Sequence, residues 1–213
     1  MAKEKKKKGL ITRLLEILIA LCLLAAIGIA GKQFLDLKAQ TDNNNIALKE
    51  YEAMKKAPRK KKASIGNVIG KMKVDGLTDW IAIIEGEDPI TALNHGAGHA
   101  EQSPYPGKSQ NSGQPILSAH RETFFRPLKD AKNGDIVTVE MPYGTYKYKI
   151  SNSQVVQPNE ADKAFTTEGM KGERLILVTC YPFSFVAPPN ERIIFYADLV
   201  DSKKIEQNKT SVN

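Results

Sequence analysis

Two alternating segments, residues 135–141 and 145–150, do most to limit what this chain can fold into. Val137, Val139 and Met141 share one parity. Tyr146, Tyr148 and Ile150 alternate with Lys147 and Lys149. A period of two sends successive side chains to opposite faces of a pleated strand. Pro142-Tyr143-Gly144 between the segments predicts a hairpin turn. Further short apolar runs fall at residues 68–74, 80–84, 115–118, 175–179 and 192–200. Helical stretches are few and short: residues 89–93, residues 123–131, and a turn near 161–165. Many short strands separated by turn signals predict an all-β barrel or sandwich. The chain has 213 residues, and those from 64 to 202 suffice for one real core.

Charge divides the chain. Residues 1–63 carry 15 basic and 6 acidic side chains, whereas residues 64–202 carry 13 and 17. The basic pI therefore belongs to the leader, and the mildly acidic remainder argues against nucleic acid as a partner. Residues 14–30 are apolar except for Glu16 and follow a lysine-rich tip. Seventeen helical residues reach about 25 Å, the short end of a membrane span. The lysines predict a cytoplasmic N-terminus and an external domain. A cleavable signal peptide is the competing reading, since small-x-small triplets occur at residues 26–30. The expected organisation is a basic tip at 1–13, a signal-anchor at 14–31, a polar and partly helical linker at 32–63, a folded domain at 64–202 and a polar tail at 203–213. Within the linker, Asp42-Asn43-Asn44-Asn45 predicts a cap for a short helix ending near Met54. The run Pro58-Arg59-Lys60-Lys61-Lys62 reads as a solvated tether.

Cys180 is the sole cysteine outside the apolar leader, because Cys22 lies within it. Exported proteins use cysteines mostly in pairs, so a lone thiol is either reactive or a small core hydrophobe. His120 ends the apolar run 116–119 and is expected at the rim of the core, where catalytic groups of rigid scaffolds stand; a structural histidine is the alternative. Arg192 follows Cys180 by twelve residues across a loop rich in proline and aromatics. If the flanking strands pair antiparallel, a cation returns beside the thiol and can stabilise a thiolate or oxyanion. A surface salt bridge is the alternative. His95 and His99 have zinc-like spacing, but Gly96 and Gly98 disfavour a helix and no third ligand stands nearby in sequence. They are expected to be loop histidines, and no metal site is expected.

Ser118-Ala119-His120-Arg121, Leu177-Val178-Thr179-Cys180 and Arg192, in that order and spacing, resemble the motifs of the sortases, transpeptidases of Gram-positive surfaces. The likeness spans about residues 66–200. Gly98-His99 and Cys180-Tyr181-Pro182-Phe183 look most like class D. The resemblance implies a closed eight-stranded β-barrel. It also implies Cys180 as nucleophile, His120 as general acid/base and Arg192 as oxyanion-binding or substrate-positioning cation. Ser118 and Thr179, beside them, are expected at the substrate. The implied substrates are surface proteins with an LPxTG-like sorting signal, and the implied acceptors are amines of cell-wall precursor or of a pilin lysine. No cofactor is expected, and calcium dependence is left open. The position of Asp88-Pro89 and the polar tail do not fit the lid and second membrane helix of class C. A hydrolytic cysteine peptidase and a non-enzymatic surface domain stay open as other classes.

Overall fold

The computed structural model describes residues 2–56, 63–109, 113–165, 170, 172–184 and 187–205. Helix α1 (Ala2–Lys56) opens the chain. Eight strands follow: β1 (Val68–Val74), β2 (Ile81–Glu85), β3 (Ala97–His99), β4 (Ile116–Ser118), β5 (Ile136–Met141), β6 (Gly144–Val156), β7 (Arg174–Tyr181) and β8 (Glu191–Lys204), with a four-residue helix α2 (Ala161–Ala164) between β6 and β7. They close into a barrel in the order β1-β2-β3-β4-β7-β8-β6-β5, with β5 returning to β1. Every strand pairs on both sides, so closure leaves no open edge. Two ladders are parallel, β2–β3 and β4–β7; the rest are antiparallel.

Alternation fills the barrel as expected. Val137, Val139, Met141, Tyr146, Tyr148 and Ile150 all point inward and pack with Met72, Leu117, Phe125, Leu175, Leu177 and Phe195. The hairpin is tighter and longer than its sequence pattern. Gly144 already pairs with Met141, and β6 continues to Val156 because its second half pairs with β8. Strand β8 likewise runs to Lys204, two residues past the expected domain limit.

Strand β3 is absent from the sequence expectation, which placed residues 95–99 in a loop. Its glycines are the reason. A Cβ on Gly96 would lie 2.2 Å from the Ala82 carbonyl oxygen, and one on Gly98 would lie 2.5 Å from that of Gly86. The short parallel strand approaches β2 closely enough to exclude side chains, which removes the apolar signal a strand normally carries.

The linker differs more. The charged run 58–62 lies outside the described residues, but residues 40–56 belong to the same compact unit as the barrel. They form a helix docked on the barrel, where a short helix within a polar linker was expected. Tyr51 is fully buried and joins Ala47, Val68, Ala82, Ile84 and Ala92 in a second apolar cluster on the barrel's outside. Asn44 does not cap a new helix. Its amide nitrogen donates to the Trp80 carbonyl at 3.1 Å, and its oxygen accepts from the Ala82 amide at 2.8 Å. Lys55 and Glu52 add ion pairs to Glu140 and Lys71.

Candidate active site

The parallel β4–β7 ladder ends at the pair Ser118 and Val178. The Ala119 amide extends it by donating to the Val178 carbonyl at 3.3 Å. His120 and Cys180 each lie two residues beyond that last pair, at the same rim. Cys180 is in turn directly opposite Arg192 in the antiparallel β7–β8 ladder. Opposed residues of this kind hold their Cα atoms about 4.5–5.5 Å apart. Three residues separated by 60 and 12 positions in sequence thus meet on three adjacent strand ends.

The parity of β7 decides which way the thiol points. Leu175 and Leu177 belong to the interior core, and Thr179 is buried in register with them. Ile176 and Val178 lie on the opposite face, with Val156, Ala164, Ile194 and Tyr196, flanked by Ile116, Ala161 and Phe165. Cys180 continues that outer row. It is a free, half-buried thiol at the end of an apolar floor. Helix α2 is held over this floor, because the Tyr196 hydroxyl donates to the Ala164 carbonyl at 3.1 Å.

His120 sits at a tight turn. Its carbonyl accepts from the Thr123 and Phe125 amides at 3.3 and 3.2 Å, and the Phe125 ring is fully buried in the barrel. The turn is therefore anchored to the core through Phe125. Arg192 donates through Nη1 to the Pro189 and Glu191 carbonyls at 3.3 and 3.0 Å. Its guanidinium stands at the base of the β7–β8 connection.

Thr179 is not placed to touch a substrate. It is 3% exposed, and its hydroxyl donates to the Ala119 carbonyl at 2.7 Å. That bond ties the two strands together one residue before both His120 and Cys180. Ser118 lies on the outer face instead, where its hydroxyl donates to Glu87 at 2.7 Å.

His99 is not a loop histidine. It is 1% exposed in β3, and the parallel register places it opposite Glu85. Its Nδ1 lies 3.2 Å from the Glu85 carboxylate; its Nε2 lies 3.2 Å from the Pro104 carbonyl and 3.1 Å from the Ser103 hydroxyl. The Tyr105 ring packs on the imidazole with centroids 4.8 Å apart. Burial and the neighbouring Glu85 carboxylate push the Tyr105 phenol up to about 12. Sequence distance hid Glu85, fourteen residues upstream, which only the β2–β3 pairing delivers.

Two further residues escaped the sequence reading. Glu173 is buried and accepts from the Gly107 and Ser109 amides, the Ser109 hydroxyl and the Tyr148 hydroxyl. It pins the β3–β4 connection to the start of β7. Arg121, quoted only as part of the histidine motif, is buried beside the rim that carries His120 and Cys180 and contacts the β7–β8 connection. Its only signal was adjacency to His120.

Comparison with known proteins gives a consistent answer. The sequence model of the sortase domain matches residues 72–200. Sortase D of Bacillus subtilis (strain 168) is 31% identical over 193 residues, covering 83% of this chain and 93% of that protein. Among solved structures, sortase E1 of Streptomyces coelicolor superposes with a TM-score of 0.57 at 24% identity, covering 65% of this chain and 91% of its own. The Clostridium perfringens sortase D5 transpeptidase gives 0.59 at 20% identity, covering 77% and 99%. These structures share the barrel.

Proposed function

The chain belongs to the sortase family and is most like class D; from that premise we propose a membrane-anchored transpeptidase that cleaves an LPxTG-like sorting signal at Cys180 and passes the protein to a cell-wall amine. The observation that carries this reading is the register. Cys180 faces Arg192 across one ladder, and His120 ends the parallel neighbour at the same rim.

The chemistry follows from that set. The thiol gives its proton to His120, and Sγ attacks the threonine carbonyl of the Thr–Gly bond. The new C–S bond leaves a negative oxygen, which the Arg192 guanidinium binds through two parallel donors. Collapse breaks the C–N bond, and His120 protonates the departing glycine amine. The thioester then meets the acceptor amine. His120 takes that amine's proton, a new amide forms, and the thiol is restored. A covalent intermediate divides one difficult exchange into two easier ones. The apolar floor of Ile116, Val178, Ile194 and Phe165 suits the leucine and proline of such a signal. Thr179 acts by fixing strand register, not by contact. The scheme uses no cofactor.

Among the described residues, α1 is the helix long and apolar enough to cross a membrane. We assign residues 14–31 as the anchor, with the lysine tip in the cytoplasm and the barrel outside. The test uses the full chain in detergent with a sorting-signal peptide, with and without a primary amine acceptor. The expected result is a peptide–amine product with acceptor, slow hydrolysis without it, and neither from Cys180→Ala at unchanged melting temperature. Hydrolysis unaffected by acceptor would make the protein a peptidase, and cleavage by Cys180→Ala would remove the thiol from the mechanism.

A further inference from the structure

Arg121 is a buried cation that the proposed chemistry does not use. It is 5% exposed, and all its described bonds stay close to the site. Nε donates to Glu122 at 2.7 Å. Nη1 donates to the Pro182 carbonyl, and Nη2 to the Ala187 carbonyl at 2.9 Å. Pro182 is two residues after Cys180, and Ala187 is five before Arg192. One planar group therefore joins the His120 turn to two points on the connection between β7 and β8. Phe183, between those points, packs against the interior core.

We propose that Arg121 is a positioning residue of the active site: it holds the β7–β8 connection against the His120 turn, and so sets the wall beside Cys180 and the approach of Arg192. The division of donors supports this. Arg121 fixes the connection at Pro182 and Ala187, while Arg192 bonds the Pro189 carbonyl near its end and the Glu191 carbonyl that opens β8. If the first half is released, Arg192 follows the backbone it is bonded to. Arginine is required because only a guanidinium presents fixed, coplanar donors to two separate carbonyls. Lysine keeps the charge but concentrates it at one point. The Pro182 carbonyl also accepts from the Ser184 amide at 2.8 Å, so Nη1 ties a turn already closed by the backbone to the His120 turn.

The inference rests on the sortase reading for its activity arm but not for its labelling arm. Arg121→Lys and Arg121→Met are made in a Cys22→Ser full-length background, so that Cys180 is the sole thiol. Alkylation is followed with iodoacetamide, a small reagent, and with a bulky aromatic maleimide. The expected result for Arg121→Lys is a severalfold faster reaction with the maleimide, iodoacetamide within about twofold, and a nearly unchanged melting temperature. With peptide and amine, a larger share of turnover should end in hydrolysis, and kcat/KM should fall by up to the roughly 10²-fold that a misplacement near 1 Å costs. Equal acceleration of both reagents would show general loosening and overturn the proposal. So would unchanged labelling and partition in Arg121→Lys. Should Arg121→Met fail to fold, Arg121→Lys alone decides. If the parent protein cleaves no peptide, the functional proposal fails, and the labelling ratio still judges Arg121.

Discussion

His120 and His99 are both imidazoles at strand ends, and their surroundings assign them different work. His120 is half-buried at the rim that carries Cys180, on a turn fixed by the buried Phe125. His99 is sealed in the barrel wall against Glu85, Pro104 and Tyr105. His120→Ala is expected to lower kcat/KM by at least about 10²-fold, typical of a general acid–base group, with little change in melting temperature. His99→Ala should do the reverse. It removes the partner of a buried carboxylate, a desolvation cost of about 1–3 kcal/mol or more, while turnover per folded molecule stays near normal. Rate and melting temperature measured on both proteins check the assignment. Equal rate losses in both would sink the assignment.

At the scale of elements, the second half of α1 is structurally part of the domain that follows it. Asn44 supplies both a donor and an acceptor to the start of β2, and Tyr51 fills the outer cluster under Lys71. A chain begun at residue 64 would expose Val68, Ala82, Ile84 and Ala92 together and leave the Ala82 amide without its partner. Such a fragment is expected to melt well below one begun at residue 40. The single change Asn44→Ala should cost about 1–3 kcal/mol by stranding that buried amide. Urea unfolding of the three proteins measures the difference. Equal midpoints for the two fragments would show that the helix contributes nothing to the barrel. The β3–β4 connection is tied down in the same economical way, by the one carboxylate of Glu173.

For the molecule as a whole, phenols concentrate in and against the barrel interior, and Tyr196 adds one on its outer face. Burial is the leading cause that raises the pKa of Tyr105, Tyr143, Tyr146, Tyr148 and Tyr196, and Glu173 adds to it for Tyr143, Tyr146 and Tyr148. A phenol held protonated in the fold binds a proton that the unfolded chain releases near its ordinary value of 10.0. Stability is therefore fully present below pH 10 and falls as pH rises beyond it, toward the raised folded values. Phenolate absorbance at pH 10–11 should stay well below that of the unfolded chain, then rise together with loss of the barrel. A smooth titration at the ordinary value, with the fold intact, would mean that these rings are solvated.

The sequence by itself determined the all-β class, the inward parity of β5 and β6, the apolar leader and the residues of the rim. It did so because period-two alternation, a long apolar run and a lone thiol at a strand end are local patterns. The helical dock at residues 40–56 was not legible, because Asn44 and Tyr51 look like ordinary polar-helix residues until β1 and β2 arrive beneath them. Strand β3 was hidden because its glycines answer to the closeness of β2 and carry no hydrophobic signal. Only the tertiary structure decided that Thr179 faces inward and Cys180 outward, that Glu85 meets His99, and that Arg121 reaches Pro182 and Ala187. Each of these depends on the register of strands distant in sequence, and register is settled by barrel closure and by burying one parity of every strand at once.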